Sequence, residues 1–181
     1  MSEQIFSARR CRDTRKPLAG QCPEVQFYRC PECRTLFQIT GRQAMGPQVI
    51  TCCGNQVQGL KATPAETVAD RLLLSYQITG GYNDNAVRVS WQSVIPGCTP
   101  EWMYLKTFTG GYLKYIAAAR QSPLVFALAD TDAFAYCDED PCLECVFRCK
   151  RGFIIYVYSA QTGLVEIPLD KMTAHWQSGV K

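Results

Sequence analysis

Two cysteine pairs constrain this chain more than any other feature. Cys30-Pro31-Glu32-Cys33 is a Cys-x-x-Cys knuckle, and Cys52-Cys53-Gly54 follows after the 18 residues 34–51. A Cys-x-x-Cys pair alone fits either a redox motif or half of a metal site. Neighbouring cysteines rarely bridge each other, because so short a loop strains the disulfide. Sharing a metal is the natural use of such a pair. Four thiolates in two close pairs suit one tetrahedral zinc or a single iron. The alternative is a set of buried free thiols.

The wider composition agrees with reduced, metal-bound thiols. The chain has 181 residues, 47% hydrophobic and 19% charged, which is ordinary globular composition with room for one substantial core or one core plus a small module. It carries 11 cysteines. No apolar run follows Met1, so no signal peptide is expected, and thiols of this kind point to a cytoplasmic protein. The apolar run 123–129 is too short to span a bilayer. A formal net charge of +3 gives no argument for nucleic acid. Arg9, Arg10, Arg12, Arg15 and Lys16 concentrate the basic charge near the start.

Taken in order, residues 1–24 read as a basic, unpatterned arm, with Cys11 and Cys22 as free thiols. Residues 25–61 form the four-cysteine module, with short strands at Val25 to Tyr28, Thr35 to Ile39 and Val49 to Thr51. A module this small needs bound metal for much of its folding free energy. Residues 62–70 read as a linker in which Thr63 or Pro64 opens a brief helical turn. From 71 to 169 short apolar runs alternate with Gly, Pro and Asp turns, the pattern of an all-β sandwich or barrel. Strands are expected over Leu72 to Thr79, Ala86 to Val94, Trp102 to Phe108, Tyr112 to Ala118, Leu124 to Ala129, Ala133 to Tyr136, Phe153 to Tyr158 and Leu164 to Ile167. Residues 170–181 read as a tail or a short amphipathic helix.

The words Tyr28-Arg-Cys-Pro-Glu-Cys33 and Val49-Ile-Thr-Cys-Cys-Gly54 resemble the desulforedoxin-type iron site that opens the two-domain desulfoferrodoxins. Gly81-Tyr82, Val87-Arg-Val89, Ser93-Val94-x-Pro96 and Ala135-Tyr136-Cys137 are similar, in the same order, to the superoxide reductase domain of that family. The resemblance covers roughly residues 25–140. It implies an immunoglobulin-like β-sandwich after the small iron module, and it implies a catalytic iron held by four imidazoles and one axial thiolate. This chain departs from that pattern. Its one histidine, His175, lies outside the matching words. The imidazole positions fall near Arg71, at Ile95, near Glu101 and at Asp140, while the axial thiolate is kept as Cys137. A superoxide reductase of the usual type is therefore not expected.

A second cysteine set stands in the same region. Cys137, Cys142, Cys145 and Cys149 lie within 13 residues, and four thiolates in a compact run can hold a [4Fe–4S] cluster or zinc. Cys98 follows Pro96-Gly97 and reads as a small buried side chain or a further nearby thiol. Two functions follow. One is electron transfer through the four-cysteine iron site and a second cysteine-bound centre, with a redox protein or larger complex as partner. The other is a structural or interaction subunit whose cysteine sites hold zinc. No Ser/His or Cys/His pair and no phosphate loop points to an enzyme.

Overall fold

A computed structural model of the chain describes residues 22–42, 45–46, 48–80, 85–133, 150, 152–169 and 175–178. Within these residues the fold is all-β. Two hairpins come first: β1 (Glu24–Arg29) pairs antiparallel with β2 (Leu36–Gly41), and β3 (Ile50–Cys52) with β4 (Asn55–Val57). Two larger sheets follow.

The first large sheet has the order β10-β7-β6-β13, formed by β10 (Leu124–Ala127), β7 (Ala86–Ser93), β6 (Leu72–Thr79) and β13 (His175–Gln177). Its inward residues alternate with period 2, as a half-buried strand requires. Leu72, Leu74, Tyr76 and Ile78 on β6, Val87 and Val89 on β7, and Leu124 and Phe126 on β10 enter one core. The second sheet has the order β5-β12-β11-β8-β9. Its members are β5 (Ala62–Pro64), β12 (Gly163–Pro168), β11 (Ile154–Ser159), β8 (Trp102–Lys106) and β9 (Gly111–Tyr115). Met103, Leu105, Ile155, Val157, Val165 and Ile167 close the same core from the other side.

The second sheet is buried on its outer face too. All five residues of β8 are buried. Trp102 and Tyr104 on β8, Tyr156 and Tyr158 on β11 and Leu164 on β12 form a separate cluster with Phe27 of β1. The Phe27 ring lies 5.1 Å from Trp102, 5.2 Å from Tyr104 and 5.5 Å from Tyr156, with the tyrosines met edge-on. Trp102 stacks on Tyr158 with the rings 3° from parallel at 5.2 Å. Offset and edge-on rings place positive edges against negative faces, which adds to the area they bury. Lys106 is buried here as well, its Nζ donating to Glu24 Oε1 at 3.1 Å. The Phe27 ring thus lays the four-cysteine module on the sandwich, and within the module the Leu60 N–H donates to the Phe27 carbonyl at 2.7 Å.

Several segments differ from the sequence expectation. Residues 62–70 are part of the sandwich rather than a spacer. Ala62–Pro64 pairs parallel with β12, and a 3-10 turn at Ala65–Val68 buries Ala65 and Val68 in the core. Pro64 does open that helical turn. The arm assigned to 1–24 ends inside the structure, since Cys22 is a buried free thiol of the main core and Glu24 already belongs to β1. The C-terminal segment supplies a strand, not a helix: His175–Gln177 pairs with β6, and Ser178 Oγ exchanges hydrogen bonds with Leu74. Ala133 ends a helical turn, Asp130–Ala133, and residues 134–136 of the strand expected from Ala133 to Tyr136 lie outside the described residues. Three- and four-residue elements carry no period of their own, so their state is set by whatever they pair with.

Candidate metal centre

The two cysteine pairs sit on the two hairpins of the small module. Cys30 follows β1, and a tight turn reverses the chain before β2. The Arg34 N–H donates to the Cys30 carbonyl and the Cys30 N–H to the Thr35 carbonyl, both at 3.0 Å. Arg34 takes a left-handed φ of 61° to close that turn. The second pair repeats the device between β3 and β4, with φ of 51° at Cys53 and 78° at Gly54. Left-handed backbone is uncommon outside glycine and persists where surrounding structure fixes it. Here it falls beside Cys33 in the first turn and on Cys53 itself in the second. A side-chain bond joins the turns, the Asn55 Nδ2 donating to Glu32 Oε1 at 2.9 Å.

The result is convergence. The sulfurs of Cys30, Cys33, Cys52 and Cys53 all lie within 4.8 Å of one another. Cys33 Sγ is 3.5 Å from Cys52 Sγ, which is 3.9 Å from Cys53 Sγ. Four sulfurs around a tetrahedral metal with bonds of roughly 2.3 Å would be about 3.8 Å apart, so the donor set fits one ion with small adjustment. Cys30 is buried among Tyr28 and Val57, whereas Cys33 and Cys53 face solvent. The site is therefore anchored on one side and open on the other.

Protons are unevenly shared among these thiols. Cys33 is pulled from its ordinary value near 9 down to about 6, first by the Thr35 hydroxyl at 3.1 Å and then by the Thr35 backbone N–H. Cys52 is pushed up to about 12, chiefly by its hydrogen bond to Cys33. Cys53 is raised for the same leading reason. At neutral pH the group without metal holds its negative charge at Cys33, and the neighbouring thiols donate to it.

The other sequence candidates are less concentrated. Arg71 and Ile95 are neighbours, the Arg71 carbonyl accepting from the N–H groups of Val94 and Ile95, but the Arg71 guanidinium turns to the Gln161 carbonyl at 3.1 Å. Glu101 is held by Arg29. Cys98 is fully buried, with its sulfur 3.9 Å from Ser159 Oγ. Cys137, Asp140, Cys142, Cys145 and Cys149 lie outside the described residues. Arg29 and Thr35 were not anticipated. Arg29 donates to the Tyr158 hydroxyl at 2.8 Å and to the Glu101 carboxylate, and its guanidinium carbon lies 4.7 Å from the Tyr158 ring centroid. The signal was present in β1: aromatic residues at both Phe27 and Tyr28 mean that both faces of that strand are covered.

Comparison with solved structures places the molecule. The chain is similar to the superoxide reductase from Treponema pallidum, with a TM-score of 0.52 and 15% identity over 80% of this chain and 98% of that one. The fold is superoxide reductase-like. At this identity the likeness carries the fold alone. No protein-family model and no curated protein matches the chain.

Proposed function

We propose that the chain is a desulfoferrodoxin-like iron protein that carries single electrons and does not reduce superoxide. The observation that carries this reading is the convergence of Cys30, Cys33, Cys52 and Cys53 within 4.8 Å at a solvent-facing turn. All-thiolate donors are soft and suit iron or zinc. Iron held by four thiolates supplies a one-electron couple. The protein's own part is to hold the donors. The left-handed turns fix the sulfurs, the Thr35 hydroxyl stabilises charge on Cys33, and Asn55 ties one cysteine loop to the other. Exposure of Cys33 and Cys53 leaves an approach for a redox protein or larger complex in the cytoplasm. In the same reading, Cys137, Cys142, Cys145 and Cys149 hold the second centre, a [4Fe–4S] cluster or zinc. Arg71, Ile95, Glu101 and Asp140 stand near the family's imidazole positions, and none of these side chains is an imidazole.

A specific observation favours a second reading, in which zinc staples a structural or interaction subunit. The module is docked through Phe27 onto a closed aromatic cluster, so metal at the cysteines would order a surface as well as carry charge. Anaerobic purification followed by dithionite reduction separates the two. Thiolate-to-iron absorption that bleaches on reduction and returns on oxidation supports electron transfer. A colourless protein with zinc at these cysteines overturns it.

A further inference from the structure

A groove of about 320 Å³ opens where the first cysteine turn meets the sandwich. Arg29 and Arg34, each one residue from a cysteine of the module, form its basic side. Its apolar wall is made by Leu36, Pro100, Trp102, Tyr115 and Ile116. This volume falls at the lower end of small-molecule sites, which are mostly apolar with a few placed polar groups.

Three features give the groove a chemical preference. The Arg34 guanidinium is exposed and makes no hydrogen bond or ion pair among the described residues. Its left-handed backbone, fixed by the turn, sets where that side chain starts. The second feature is Trp102. This residue is only 2% exposed, yet its indole N–H has no acceptor among the described residues. A buried tryptophan N–H ordinarily finds a partner, and Trp102 borders this groove. The third is the charge balance. Two arginines and Glu101 leave one net positive charge. That matches a monoanion better than a phosphate monoester, which carries close to two negative charges at neutral pH. Guanidinium and carboxylate are planar forks that pair through two parallel bonds. Tyr115, with 68% of its surface exposed, offers an apolar ring at the rim.

From these we infer that the groove binds a carboxylate carried on a flat apolar body, with Arg34 pairing the carboxylate beside the indole of Trp102. The apolar body lies along Pro100 and Tyr115. The site is built from side chains outside the thiolate set, so it goes beyond the electron-transfer reading and does not require it.

The test is a titration of the full-length, as-purified, nitrogen-15-labelled chain with benzoate, followed by nuclear magnetic resonance. The Trp102 indole signal is assigned by its loss in Trp102→Phe. A saturable shift of that signal is expected, with a Kd in the millimolar range or tighter, and Arg34→Gln should weaken it about tenfold. Benzamide, the neutral analogue, should bind about tenfold more weakly than benzoate. Arg34 is exposed, so Arg34→Gln keeps the fold, and an unchanged spectrum without benzoate checks this. No saturable shift, equal binding of benzamide, or an unaltered Kd in Arg34→Gln would overturn the assignment. Phenyl phosphate binding more tightly than benzoate would overturn the carboxylate class.

Discussion

The five-stranded sheet has two faces that hold different kinds of core. Its inner face presents Met103, Leu105, Ile155, Val157, Val165 and Ile167, aliphatic side chains that interlock with the opposite sheet. Its outer face presents Trp102, Tyr104, Tyr156 and Tyr158, rings that receive Phe27 from the small module. The inner core is fed by both sheets. The module brings little of its own, a cluster of Tyr28, Cys30 and Val57 with a few half-buried neighbours. It gains further burial from the ring cluster, and in the proposed reading metal at its cysteines supplies the rest. One set of strands thus packs the sandwich core on one face and receives the module on the other.

The sharpest way to break this contrast is to remove one of the proposed metal ligands from the module. With metal at the four thiolates, Cys52→Ser should remove a large part of a metal-linked folding free energy that is on the order of 10 kcal/mol for a complete four-ligand site. Hydrogen exchange should then show lost amide protection in β3 and β4, with Leu72–Thr79 and Ala86–Ser93 still protected. Simultaneous loss in both regions would mean that they fold as one unit.

The next pair of changes compares the two cores directly. Phe153 is fully buried and meets Phe108 edge-on at 5.0 Å. Phe153→Ala should destabilise the sandwich by about 4 kcal/mol in denaturant titration. Phe27→Ala should cost about 3 kcal/mol, since the module surface has more freedom to close the gap. That loss should appear in module protection, with the sandwich midpoint nearly unchanged.

Much of this arrangement was legible in the residues, and the reasons for the rest are physical. Leu72–Thr79 was readable because an apolar, partly β-branched run ends there at Gly80-Gly81. The cysteine convergence was readable because pair spacing limits the loops that can close. The alternation of Trp102 and Tyr104 against Met103 and Leu105 marked a strand, but not that both faces are covered. That fact depends on β1, more than seventy residues earlier in the chain. Ala62–Pro64 and His175–Gln177 became strands only through their partners β12 and β6. Thr35 acts on Cys33 through a turn that places its hydroxyl, which composition does not reveal.

Smaller effects sharpen the account. Arg29 joins the module to the sandwich at Tyr158 and Glu101, with side chains 15% and 37% exposed for the Arg29–Glu101 pair. Solvent screening limits the worth of such a pair, so Arg29→Gln should cost about 1 kcal/mol. A double-mutant cycle with Glu101→Gln measures the coupling. pH gives another handle. Metal must displace thiol protons, so affinity should fall as pH falls. Cys33 is already thiolate above about 6, and below that it too regains its proton. The slope of affinity against pH should therefore steepen below about 6, and Thr35→Val should move the break upward. A competition titration with a chromophoric chelator reads both.

The most direct test of the central claim is metal stoichiometry in paired variants. Metal analysis of the anaerobically purified wild-type chain is compared with that of Cys30→Ser and Cys53→Ser, each checked for a folded sandwich. The account predicts that either substitution lowers bound metal by one ion per chain relative to wild type. Equal metal content in wild type and both variants, with the sandwich folded, would contradict it.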